Sequence, residues 1–317
     1  MARLILSRLM QAAIVLLVMS FVIYALIGLM PGDPIDLMIS ADPNVTTADA
    51  QRLKALYGLD RPIVERWFNW FRGALSGDFG HSRLHARPVV EVLVPALLNT
   101  LKLLGLAFVL SLLIALPAGI WAGLRPYSAH DYTINLMAFA GISIPVFWFA
   151  LMLIIVFAVI LGVLPAGGTG DISGKGGWDQ LRHLVLPVVT LSIASIGGHT
   201  RYMRGAMIEV MRQDYILTAR AKGAGTGRVV FGHALRNALI PVVTILALEF
   251  GTLFSGALVT ETIFAWPGMG RLIYDSIMGN DFNLALVALL LATLVTLAGN
   301  LLADLAYAWL DPRIEYQ

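Results

Sequence analysis

The sequence predicts an all-α membrane protein with six transmembrane helices and an external segment after the first. Three observations predict it. Of 317 residues, 58% are hydrophobic and only 13% charged, where a soluble domain carries about a quarter charged residues; mean hydropathy is +0.79. Long stretches carry no charge at all, and about 20 mostly apolar residues suffice for a helix to cross the hydrocarbon core. Finally, Lys and Arg gather in one loop between two such stretches, as cytoplasmic loops do.

The same composition excludes a disordered chain, a collagen and an ordinary water-soluble enzyme. A net charge of +2 leaves no general nucleic-acid footprint. With no cysteine, disulfides, thiolate metal clusters and cysteine nucleophiles are excluded too.

The spans follow in order. Leu9 to Met30 is free of charge for 22 residues. It is too long for a signal-peptide core and no cleavage site follows, so it reads as a retained anchor. Leu103 to Leu124 is the second span. Tyr132 to Gly170 runs 39 residues without charge, and its apolar part ends near Leu164-Pro165. His183 to Thr200 is short but apolar. Asn237 to Thr260 is apolar around Glu249, and Phe282 to Ala303 is the sixth. An even number puts both termini on one side.

Arg201 to Arg236 holds seven Lys/Arg against Glu209 and Asp214, and Arg3 and Arg8 add to the same side. The segment 31–97 also holds seven, but eight acids balance them, and long loops count little. The termini and the basic loop are therefore expected in the cytoplasm.

In the external segment, Thr46 and Asp49 open a helix that Gly58 stops, and Pro62 opens a second that Gly77 ends. Trp67, Phe68, Trp70, Phe71 and Leu75 give the second an apolar side. Two places suit it: the headgroup layer or the protein's own outer surface.

Little in the sequence suggests catalysis. Neither a Ser-His-Asp order nor a carboxylate pair stands out. Gly167 to Lys175 is glycine-rich, but Thr169 occupies the first P-loop glycine position and Gly176 the Ser/Thr position; a flexible external loop is expected. His81 and His85 have a metal-ligand spacing for a helix, but Gly80 and Pro88 bracket them, which favours solvated loop histidines. His183, His199 and His233 fall near span ends, where interfacial hydrogen bonds are expected. Glu261 and Asp304 are expected to reach water. Glu249 is different, because a carboxylate inside a span needs a partner or water. It either faces a path or partner subunit, or hydrogen-bonds a neighbouring helix. Gly119-x-x-x-Gly123 marks close helix packing. No internal repeat of the kind found in inverted-repeat transporters is visible.

The basic loop is the most informative stretch. Asp214 is placed to cap a short helix and Gly223 to end it in the left-handed conformation. Between them, Thr218, Ala219 and Ala221 make a small-residue face beside Arg220 and Lys222, with Tyr215 at the start. A second helix, about Gly227 to Asn237, runs on to Pro241. Anionic lipid would satisfy the charges. It would not require the small face or the terminal glycine, which favours a protein groove.

This run, Asp214-Tyr215…Thr218-Ala219-Arg220-Ala221-Lys222-Gly223…His233-Ala234-Leu235-Arg236-Asn237-Ala238-Leu239-Ile240-Pro241, resembles the "EAA" loop of bacterial ABC importer permeases, in the peptide/nickel branch. The Glu-Ala-Ala is not literal here, and the Gly-to-Pro spacing of 18 exceeds the usual one. Other segments agree in order along the chain: Pro31-Gly32-Asp33-Pro34, Tyr57-Gly58-Leu59-Asp60-Arg61-Pro62, Gly77-Asp78-Phe79-Gly80, Ser143-Ile144-Pro145-Val146-Phe147-Trp148, Phe264-Ala265-Trp266-Pro267-Gly268-Met269-Gly270 and Leu310-Asp311-Pro312-Arg313. The opening and the long external segment look like the B-type subunit.

The resemblance implies a type I importer permease fold, non-catalytic and binding no cofactor itself. It implies a C-type partner permease, two ATPase subunits using ATP and magnesium, and an external solute-binding protein, in a bacterial inner membrane. The implied organisation is residues 1–94 for the first helix and external segment, 95–308 for a five-helix core with coupling loop 201–237, and 309–317 for a cytoplasmic tail. Di- and oligopeptides are the expected cargo; nickel, glutathione and opines travel through similar permeases. The rival from another class is an ion-coupled secondary transporter using Glu249. A membrane enzyme would need a catalytic constellation that the sequence does not display.

Overall fold

The computed structural model describes residues 2–29, 61–170, 177–252 and 257–310, with side chains for 5–29, 61–170, 177–246 and 257–305. The Pro31–Pro34 motif, the expected helix from Thr46 to Gly58, the Lys175 end of the glycine-rich stretch, the Glu249 side chain and the tail motif after Leu310 lie outside these. Two compact units are defined: residues 1–97 with 271–297, and 98–270 with 298–317.

In the first unit, α1 (Ala2–Gly28) exposes Leu6, Met10, Ile14 and Leu26, a surface suited to lipid. Helix α2 (Ile63–Leu75) starts after Pro62, whose fixed φ of −54° suits a helix entrance. It ends in a left-handed Gly77 at φ +87°. Asp78 N–H bonds the Gly73 carbonyl and Gly77 N–H that of Ala74, the paired bonds of a Schellman stop. The aromatic side divides between the two places open to it: Trp67 and Trp70 pack on α1, while Phe68 and Leu75 stay exposed. Trp67 stands edge-on to Phe21 with centroids 5.5 Å apart and donates from Nε1 to Ser20 Oγ at 3.2 Å. Trp70 meets Tyr24 at 6.2 Å.

A short hairpin follows, β1 (His81–Ser82) antiparallel to β2 (Arg87–Pro88), with His81 opposite Pro88. His81 and His85 are thus exposed on a hairpin and not on a helix. Asp281 clasps this hairpin, accepting from Ser82 Oγ at 2.5 Å and Leu84 N–H at 3.0 Å.

Helix α3 (Val89–Leu124) runs 36 residues without a break, so the approach to the membrane and the second span are one helix. The third charge-free run is not a single rod. It forms α4 (Ala129–Ser143) and α5 (Val146–Leu153), the latter continued by a π-helical stretch, Ile154–Ile160. The two halves bend by 100°. Pro145 has no N–H for a helical bond and pushes Ile144 to an extended ψ of 125°. Helix α6 (Gly177–Val210) spans 34 residues, then come α7 (Asp214–Ala221), α8 (Thr226–Val229), a π segment (Val230–Ala234) and α9 (Leu235–Thr252). Helices α10 (Ala257–Ile263), α11 (Met269–Met278) and α12 (Phe282–Leu310) complete the described chain. Among the described residues, five helices have the length and apolarity to cross a bilayer, and the bent α4–α5 pair makes a sixth if it is taken as one span.

Glycines set the packing of the second unit. A Cβ on Gly119 would stand 2.7 Å from the Thr200 carbonyl, and one on Gly123 3.0 Å from that of Arg204. The expected G-x-x-x-G seam is therefore the α3–α6 contact. Gly197 meets the Ala138 carbonyl and Gly141 the Ile193 carbonyl, which brings α4 equally close to α6. Gly167 abuts the Phe264 carbonyl, which accepts from Gly168 N–H at 2.8 Å. That end of the glycine-rich stretch is a docked turn, where a free loop was expected.

Two further expectations are corrected. Glu261 does not reach water: it is fully buried and accepts from Thr100 Oγ1 at 2.6 Å. His199 is also buried, 3.3 Å from Ser111 Oγ through Nδ1, within α6. Both find polar partners because burial in an apolar bundle leaves water unavailable.

Candidate functional site

The basic loop forms a helix held at both ends. Gln213 occupies the cap position with an extended ψ of 147°, and no side chain caps the helix. The expectation that Asp214 caps is corrected: Asp214 is the first helical residue, where its charge faces the positive helix end. Its carbonyl accepts from Thr218 Oγ1 at 2.9 Å. At the other end Gly223 adopts φ +82°. Gly223 N–H bonds the Arg220 carbonyl at 2.9 Å and Ala224 N–H that of Ala219 at 3.1 Å. This Schellman stop fulfils the role expected of Gly223, because side-chain-bearing residues rarely hold that backbone angle.

Ile216 anchors α7. It is fully buried in a cluster with Met203, Met207, Val229, Val230, Ala234, Ala238 and Val242. These residues come from α6, α8, the π segment and α9, so the short helix is seated against both membrane-directed arms of the loop. Tyr215 adds a tie, its hydroxyl accepting from Asn237 Nδ2 at 2.9 Å. The arm after the loop is continuous helix from Thr226 to Thr252. Helix α7 is therefore fixed to packed helices on both sides.

Burial divides the expected site residues. Asp214, Tyr215, Thr218, Arg220, Ala221, Lys222 and Gly223 are exposed. Ala219 is half-buried and packs on the Ile216 cluster. The small-residue face is thus Thr218 and Ala221 without Ala219, because helical geometry turns residue 219 towards the same side as 216. Leu217, 53% exposed, joins the outer face and escaped sequence reasoning. Its signal was present: it follows Ile216 directly, and one residue along a helix turns a side chain about 100° away from the core face.

A second feature was missed. Asp131, buried on α4, receives Arg204 of α6 in a two-pronged pair, Nε to Oδ1 at 2.5 Å and Nη2 to Oδ2 at 2.7 Å. Tyr127 N–H and Asn135 Nδ2 add bonds of 2.8 and 2.6 Å. The four donors explain how a carboxylate stays buried. Ser128 Oγ accepts from Asp131 N–H at 3.3 Å, so the Ser-x-x-Asp helix start was legible, whereas the pairing with a residue 73 positions away was not. Glu249 lies in α9, with its side chain outside the described residues.

Long apolar helices, with one apolar run broken in two, define a polytopic membrane protein. The chain belongs to the family of binding-protein-dependent transport system inner membrane components: residues 115–316 match that family and residues 1–95 its N-terminal companion. It is 40% identical over the full length of both chains to the oligopeptide transport system permease protein AppB of Bacillus subtilis. It is 34% identical to the dipeptide transport system permease protein DppB of Escherichia coli K12, with 93% of each chain covered. Among solved structures, it resembles an amino acid ABC transporter crystallised with histidines (TM-score 0.53, 17% identity, 69% of this chain and 94% of that one). It also resembles the inward-facing MetNI methionine ABC transporter (TM-score 0.50, 20% identity, 68% and 97%). The type I importer permease fold expected from the sequence is thus the one observed.

Proposed function

We propose that this chain is the non-catalytic permease subunit of an ATP-driven importer of di- and oligopeptides. It forms the translocation path with a second, C-type permease and receives substrate from an external solute-binding protein. Two ATPase subunits, which use ATP and magnesium, engage α7 from the cytoplasm, so the termini and the 201–237 loop face inward. The observation that carries this reading is the seating of α7: Ile216 locks it to α6 and α9, while Leu217, Thr218 and Ala221 remain outward for a partner groove.

The mechanism follows from that rigidity. ATP-driven closure of the ATPases moves α7. The Schellman stop at Gly223 and the Ile216 cluster keep it from yielding locally, so α6 and α9 move instead. Two discrete packings of these helices, biased by nucleotide, switch the path from inward to outward facing. Peptide cargo rests on the names of the relatives; nickel, glutathione and opines are the alternatives within the group. Glu249 is the path residue we would place first.

Uptake by the co-expressed complex in proteoliposomes, with ATP inside and a labelled dipeptide and nickel offered in parallel, tests this reading. ATP-dependent dipeptide uptake is expected. Uptake that ignores ATP and follows an ion gradient would overturn it and make Glu249 a coupling group.

A further inference from the structure

Beside the Gly197–Ala138 crossing of α4 and α6 lies a cavity of 470 Å³, lined by Asn135, Phe139, Gly198, Arg201, Tyr202 and Arg204. Its two arginines differ in state. Arg204 is neutralised by Asp131. Arg201 is exposed, sits 4.7 Å from the centroid of the Phe139 ring, and pairs with no carboxylate among the described residues. The cavity thus holds one uncompensated positive charge.

A guanidinium laid over an aromatic face is held in orientation by the ring, while its N–H edge stays free for a planar two-oxygen acceptor. Gly198 supplies the room, because a Cβ there would meet nothing within 4 Å. Rings at Phe139 and Tyr202 and polar groups at Asn135 and Arg201 give the walls both apolar and hydrogen-bonding character, the mixture that small-molecule sites use.

We propose that this cavity is a carboxylate-binding station at the cytoplasmic end of the translocation path, in which Arg201 takes the terminal carboxylate of a transported peptide. The inference rests on the peptide-importer reading and deepens it. Arg201 supplies the charge, Phe139 orients it, and Gly198 keeps the space open. An anionic lipid headgroup presents similar oxyanion chemistry, and the test separates the two.

The test is equilibrium binding of radiolabelled alanyl-alanine to the complex assembled with its partner permease and ATPase subunits, in phosphatidylcholine nanodiscs without binding protein. Saturable binding is expected, with alanyl-alanine amide competing about tenfold less well, since loss of a charge-assisted hydrogen bond costs at least that factor. Arg201→Gln should weaken binding about tenfold, Arg201→Lys less, and Gly198→Val should also weaken it by placing a branched side chain in the space beside Arg201. Co-elution with the ATPase subunits checks that each variant is folded.

Three results would overturn the proposal: no saturable binding by the wild type, equal competition by acid and amide, or unchanged affinity in Arg201→Gln. The first two need only the wild-type complex. A variant that loses co-purifying phosphatidylglycerol yet binds dipeptide normally would reassign the cavity to lipid. Wild-type uptake with binding protein and ATP is measured alongside. A complex that transports but does not bind refutes only this inference, whereas one that does not transport dipeptide refutes the importer reading.

Discussion

Asp131 grips Arg204 with both carboxylate oxygens, at 2.5 and 2.7 Å, and this pair joins α4 to α6 where Gly141 and Gly197 already bring their backbones together. The carboxylate is almost wholly buried and the guanidinium about a quarter exposed. Removing Asp131 leaves the partly exposed Arg204 without its partner, which costs less than the ~3–5 kcal/mol of a fully buried pair. Asp131→Ala should therefore lower the melting temperature of the purified complex. The Asp131→Asn, Arg204→Gln double variant should recover part of the loss. Equal melting of Asp131→Ala and wild type would show that the pair contributes nothing net.

The outer face of α7 gives a second prediction. Leu217→Asp and Thr218→Trp alter exposed side chains and leave the Ile216 anchor intact. Both variants should insert normally but fail to retain the ATPase subunits on affinity purification. Ala219→Trp would not discriminate, because residue 219 packs on the chain's own core. Full retention by both exposed-face variants would remove α7 as the docking element.

Gly223 tests rigidity. At φ +82° a β-branched residue is strained by about 1–2 kcal/mol. Gly223→Val should loosen the stop of α7, so that ATP hydrolysis continues while peptide uptake per ATP falls. Measured stoichiometry that matches wild type would place the mechanical coupling elsewhere in the loop.

Glu261 makes a fourth case. Its carboxylate accepts from Thr100 Oγ1, which in turn accepts from Met269 N–H at 2.8 Å, and Gly268 lies against it so closely that a Cβ would collide. Gly268→Ala should destabilise by about 1–3 kcal/mol through overpacking. Glu261→Ala leaves the Thr100 hydroxyl short of an acceptor and should cost a similar amount. Thermal melting of the complex reads both; transport lost without any loss of stability would mean that Glu261 acts on the path itself.

Glu249→Gln should slow peptide uptake if the carboxylate lines the path, with vesicle uptake at varied dipeptide concentration as the measurement. Unchanged kinetics would assign Glu249 to a helix–helix hydrogen bond.

Several elements were legible in the sequence because their causes are local. The spans follow from apolar length, α2 from Pro62 and Gly77, and α7 from the acid at its start and the left-handed glycine at its end. The Gly119-x-x-x-Gly123 seam follows from spacing alone. Other features required partners distant in sequence. The chain by itself determined that it crosses a membrane and that residues 214–223 form a terminated helix, since hydrophobicity and backbone preference are properties of neighbouring residues. Tertiary structure alone decided that Ala219 turns inward while Leu217 turns outward, that Glu261 is buried beside Thr100, and that Arg204 is paired while Arg201 is free of any described carboxylate. Those outcomes depend on which helix face meets which neighbour. Packing fixes that choice, and residue order does not encode it locally.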